Sequence, residues 1–127
     1  MAMVLRGALV ALGLLFVGIG GTFLFDPVGQ GGDFGLTPNG NQGLSTIRAD
    51  FTAFFWVSGG ALILGAWKQR GDWLLVAAAL MGITLAGRAV SLAMDGTYEG
   101  WPLPMAVEAL TVMLAVVGNR MFGKTVG

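Results

Sequence analysis

Four long apolar stretches, Val4 to Phe25, Ile47 to Trp67, Trp73 to Met94 and Leu103 to Phe122, occupy most of the chain and constrain its fold more than any other feature. A hydrocarbon core about 30 Å thick is crossed by roughly 20 apolar residues of helix, and each stretch meets that length. The expectation is therefore an all-α integral membrane four-helix bundle. Its spans lie at about 4–25, 47–67, 73–94 and 103–122, with an outer loop at 26–46. Composition agrees, at 55% hydrophobic and 11% charged residues, far from the soluble norm. Four spans and their connections use up the 127 residues as a single domain, 1–127, and leave no room for a separate soluble one.

Formal net charge is zero, which gives no reason to expect nucleic acid as a partner. The chain has no cysteine and no histidine. Disulfides, thiolate chemistry, zinc sites, His-ligated haem and a histidine proton shuttle are excluded with them. No metal or cofactor is expected. Arg6 ahead of an apolar run has the look of a signal peptide, but Thr22-Phe23-Leu24-Phe25 continues apolar past Gly18 and Gly20, too long for an h-region. The first stretch is read as a retained membrane helix.

Lys and Arg flanking membrane spans are biased to the cytoplasm. Arg6 precedes the first span, Lys68 and Arg70 lie in the short second connection, and Arg120 and Lys124 come at the end. The other two connections carry Asp26, Asp33, Asp95 and Glu99. Both termini and the Lys68 to Asp72 turn are expected in the cytoplasm, with the two acidic connections outside. Trp67, Trp73 and Trp101 suit interfacial anchors. Trp56, in mid-span, reads either as core packing or as part of a ligand-contacting wall. The Gly-rich Asp26 to Thr46 loop, with Pro27, Pro38 and Asn39-Gly40, reads either as a connector with many conformations or as a lid or docking surface.

Four ionisable residues fall inside the spans: Arg48, Asp50, Arg88 and Glu108. With the orientation above, all four lie in one layer near the outer leaflet. Thr84, Arg88, Ser91 and Asp95 recur at i, i+4, i+7 and i+11 and make one polar stripe on the third span. Glu108, Thr111 and Ala115 share a face on the fourth, and Arg48, Thr52, Phe55 and Gly59 share one on the second. A charge at mid-bilayer costs about 2.5 to 3.5 kcal/mol, so these stripes are expected to turn inward. Arg88 is expected to pair with Glu108, with Asp50 and Asp95 competing for the two arginines. Ala78, Gly82 and Ala86, and Ala61 and Gly65, provide close helix approach and suggest the third span as the central one. Glycines of the first span allow a further close contact or a bend. The charged layer reads as a device fixing packing register, as a ligand-contacting site, or as a conduction path. The last is disfavoured by an arginine beside each carboxylate.

Gly87-Arg88-Ala89-Val90-Ser91-Leu92-Ala93-Met94-Asp95-Gly96, followed by Glu108 and preceded by Arg48-Ala49, resembles the pattern of an uncharacterised bacterial family. Its members are small four-helix membrane proteins, catalogued only as a domain of unknown function. The pattern is Arg-Ala opening the second helix, Gly-Arg-x-x-Ser-x-x-x-Asp-Gly closing the third and a Glu early in the fourth. Asp50 and the Thr52 to Phe55 run depart from it, as does the longer, Gly-rich outer loop. The resemblance implies a multi-pass protein of the bacterial inner membrane and brings no activity with it.

Arg48, Asp50, Arg88, Ser91, Asp95 and Glu108 are the candidate site, as a ligand-binding or structural polar layer with no catalytic residue among them. The leading expectation is a non-enzymatic protein that binds a lipid-like or hydrophobic ligand or serves as accessory subunit of a larger membrane complex. Its partners are then the lipid bilayer and another membrane protein or a second copy of the chain. The alternative is a small dimeric transporter coupled through Glu108. An enzyme stands last, because no His, Cys or Lys lies at the depth of Ser91 to activate its hydroxyl.

Overall fold

The structure is a computed structural model that describes residues 2–122. Its described elements are all helical: α1 (Ala2–Phe25), α2 (Pro27–Asp33), α3 (Gly40–Thr46), a π-helical turn (Ile47–Phe51), α4 (Thr52–Lys68), α5 (Gly71–Asp95) and α6 (Pro102–Phe122). α3, the π turn and α4 run on as one helix. Four helices, Ala2–Phe25, Gly40–Lys68, Gly71–Asp95 and Pro102–Phe122, are long and apolar enough to cross a membrane.

The second long helix thus begins at Gly40 and not at Ile47, and the expected 26–46 loop is largely helical. Local chemistry accounts for this. Asp26 caps α2, its carboxylate accepting from the Gly29 N–H at 3.1 Å, and Pro27 supplies a pre-set first position. Gly35 and Gly40, at φ of 77° and 68°, make the turns between α2 and α3. Phe34 then reaches back into the bundle, with ring centroids 5.3 Å from Phe23 and 5.9 Å from Phe55. Phe51 stacks on Phe23 at 4.9 Å from below the same cluster. Aromatic contact of this kind, with Leu36 packed beside it, pins the connection as a cap over one end of α1 and α4.

α1 packs along α4, α4 along α5 and α5 along α6, and a lighter α1–α6 contact closes the ring. The most enclosed member is α4, not α5 as the small-residue spacing suggests. Its glycines explain why. A Cβ on Gly59 would stand 2.6 Å from the Gly13 carbonyl, and one on Gly65 would strike Leu74. α1 and α5 therefore approach α4 on two sides at distances only glycine permits. On α5, Gly82 looks instead toward Val112 of α6, and Ala86 is exposed. Leu74 and Leu9, both fully buried, meet over Gly118 of α6 and tie three helices together.

The end of the bundle carrying the α4–α5 turn is closed by polar groups. Arg6 Nε donates to Ala66 O at 2.9 Å and its Nη2 to Trp67 O at 3.2 Å, covering carbonyls left open at the end of α4. Gln69, at φ 52°, ends α4 in the left-handed conformation, and Asn119 donates to Gly71 O at 3.0 Å. At the opposite end α5 is looser: its buried residues, Gly71, Leu74, Ala77 and Met81, stop well before Asp95. Of the candidate site's charged residues, Arg88, Asp95 and Glu108 lie on that open side.

Candidate functional site

α6 begins on Pro102, which lacks an N–H and suits the first turn. From there Glu108, Thr111, Ala115, Gly118 and Phe122 recur at helical spacing and are all buried. Glu108 is thus drawn into the α5–α6 contact by the apolar face it shares. Thr111 satisfies its own hydroxyl by donating to Val107 O at 2.8 Å. A lone carboxylate so placed is costly, and a cation from the neighbouring helix answers it. Arg88 Nε donates to Glu108 Oε2 at 2.8 Å, with the glutamate side chain 8% and the arginine side chain 26% exposed.

The pairing is asymmetric. Glu108 Oε1 is buried and has no hydrogen-bond partner among the described residues. Arg88 spends its inner nitrogen on the carboxylate. Beyond that bond its polar neighbour is the Tyr98 phenol, which lies beside the same guanidinium. A guanidinium held by Nε presents its outer edge as a two-pronged donor, the geometry that recognises phosphate and carboxylate. Ser91 and Asp95 continue the same face of α5 toward the helix end, and both are exposed.

The structure does not gather the remaining charges here. Arg48 is exposed, and its Nε donates to Leu24 O at 2.9 Å, covering the carbonyl end of α1. Asp50 is exposed and joins no described ion pair. The expected layer of four charges is therefore an ion pair on α5–α6 and a separate helix cap on α1–α4. The cause is the π turn. It adds one residue to the repeat between Ile47 and Phe51, so that Ile47, and not Arg48, stands below Thr52 on the buried face. Asp95, seven residues beyond Arg88, is too far along the helix to compete with Glu108.

Trp56 is neither core nor wall of this site. It is 43% exposed on the flank of α1, with its indole N–H donating to Val17 O at 2.9 Å. Thr52, which is buried, donates to Gly20 O at 3.2 Å in the same α1–α4 seam. The site residue that sequence reasoning missed is Tyr98. Gly96 and Gly100, at φ of 90° and 83°, fold the α5–α6 connection back over the helix end, and that glycine pair around a tyrosine was the available signal. Lys124 lies outside the described residues.

No solved structure matches the chain. The model of one protein family, Domain of unknown function (DUF4345), matches residues 4–118, from the first helix to Gly118 of α6. That span takes in Arg88, Ser91, Asp95, Tyr98 and Glu108 together, and it makes the chain a member of the Domain of unknown function (DUF4345) family.

Proposed function

We propose that this is a multi-pass protein of the bacterial inner membrane, with both termini cytoplasmic, that binds the polar head of a lipid-like molecule in the outer leaflet. The observation that carries this reading is the Arg88–Glu108 pair, 2.8 Å apart, with the carboxylate buried and the guanidinium edge open to a polar face of α5. Ionisable groups at this depth are costly unless something polar meets them. Here the glutamate fixes the arginine in place and the arginine faces outward.

The grouping of charges at the two ends of the bundle supports the orientation. The start of α1, the α4–α5 turn and the end of α6 share one end, and there lie Arg6, Lys68, Arg70 and Arg120. Asp26, Asp33, Asp95 and Glu99 lie at the other. That is the distribution of a span set with its basic end in the cytoplasm. The aromatic cap of Phe34 and Phe51 then covers α1 and α4 on the outer side and leaves the α5–α6 side, with Arg88, accessible from the leaflet.

Purification of the full chain in a mild detergent, followed by mass spectrometry of co-purified lipid, tests the proposal. Wild-type protein is expected to retain phospholipid that Arg88→Gln loses. Equal lipid in the two preparations, both monodisperse, would overturn it.

A further inference from the structure

The face of α5 from Arg88 to Asp95 carries charge in a fixed order. Arg88 lies deepest, Ser91 one turn above it and Asp95 at the helix end, all on one stripe at i, i+3 and i+7. Ser91 and Asp95 are exposed where a membrane helix would otherwise offer apolar groups to acyl chains. From the bilayer centre outward the protein thus presents a cation, a hydroxyl and an anion.

We infer that the stripe takes an aminophospholipid, with the phosphate on Arg88 and the ammonium on Asp95. In such a lipid the phosphate is next to the glycerol and the ammonium is further out, the complement of the order on α5. Arg88 and Asp95 are seven residues apart, about 10 Å along the helix axis, the scale of a phosphoethanolamine head with a hydrogen bond at each end. Net charge points the same way: Glu108, nine-tenths buried with one oxygen unpartnered, and Asp95 set two carboxylates against the single arginine. A purely anionic head would deepen the net charge of these three side chains from −1 to −2, whereas a zwitterion adds none and brings a cation for Asp95.

The end of α5 strengthens the cation half of the site. A helix C-terminus carries partial negative charge and ordinarily attracts a basic side chain. The last turn of α5 has none, and it ends on Asp95 instead. Carboxylate and terminal carbonyls together make a place for an ammonium from outside the chain. Tyr98 stands beside the guanidinium at the phosphate end.

This inference rests on the lipid-binding role of Arg88 proposed above, and the test separates the two. Detergent-purified full-length protein is titrated with dioleoyl-phosphatidylethanolamine and, separately, dioleoyl-phosphatidylglycerol, and the bound lipid is counted by native mass spectrometry. Wild type is expected to bind the ethanolamine lipid about tenfold more tightly, the worth of one charge-assisted hydrogen bond. Asp95→Asn, a change at an exposed residue, is expected to abolish most of that preference while glycerol-lipid binding persists. Equal affinity for both lipids, or a preference that survives in Asp95→Asn, overturns the head-group assignment and leaves the role of Arg88 standing. Binding of both lipids to Arg88→Gln at wild-type strength overturns both.

Discussion

Arg88 and Glu108 come from adjacent helices and meet at 2.8 Å, with the carboxylate almost wholly removed from solvent. Removing one partner leaves the other buried and uncompensated, at a cost of about 3 kcal/mol or more, whereas removing both leaves an apolar contact. Arg88→Leu and Glu108→Leu are each expected to destabilise by about that amount, and the double variant to recover most of the loss. Unfolding titrations in detergent measure the cycle, and strictly additive losses would contradict the contact. Arg48→Leu, by contrast, removes only an exposed bond to Leu24 O and is expected to cost about 1 kcal/mol. The contrast between the two arginines also shows what residue spacing conveys. Arg88 and Glu108 stand at equal depth on consecutive regular helices, so their meeting is legible from position alone. Arg48 lies within a π turn, whose extra residue leaves no mark in the spacing, and ideal helical periodicity therefore puts it on the wrong face.

At the scale of the element, glycines decide which helices touch. A Cβ on Gly59 would meet the backbone carbonyl of Gly13 at 2.6 Å, whereas one on Gly18 meets nothing within 4 Å. Gly59→Ala is therefore expected to push α1 from α4 and destabilise by about 1–3 kcal/mol. Gly18→Ala is expected to be neutral or to stabilise by up to about 1 kcal/mol through helix propensity. The same unfolding titration distinguishes them, and equal effects would contradict the α1–α4 seam. The four long helices are legible in the apolar runs because length and hydropathy suffice for them. α2 and α3 are not, because Gly29, Gly31, Gly32 and Gly43 argue against helix on propensity. α2 forms through the Asp26 cap, the Pro27 start and the docking of Phe34 on Phe23, two local signals and one tertiary contact, and α3 runs on into the π turn and α4. Likewise, periodic small residues on α5 suggest a central helix, but which helix is enclosed depends on tertiary contacts, between Gly59 and Gly13, 46 residues apart, and between Gly65 and Leu74 across the α4–α5 turn.

For the whole molecule, the proposed orientation puts the α4–α5 turn in the cytoplasm and the α2–α3 cap outside. The chain has no cysteine of its own, so single cysteines report sidedness cleanly. In intact spheroplasts, Thr37→Cys is expected to react with a membrane-impermeant maleimide and Gln69→Cys only after lysis. The reverse pattern would invert the topology. One open side of the bundle, between the aromatic cap and the α5–α6 connection, carries the polar face. The central claim is that a lipid head sits there on Arg88. Photocrosslinking with a head-group-labelled phosphatidylethanolamine in proteoliposomes addresses it most directly. The predicted result is crosslinked peptide from residues 88–101, lost in Arg88→Gln; labelling spread along the apolar flanks of α1 and α4, unchanged in that variant, would contradict it.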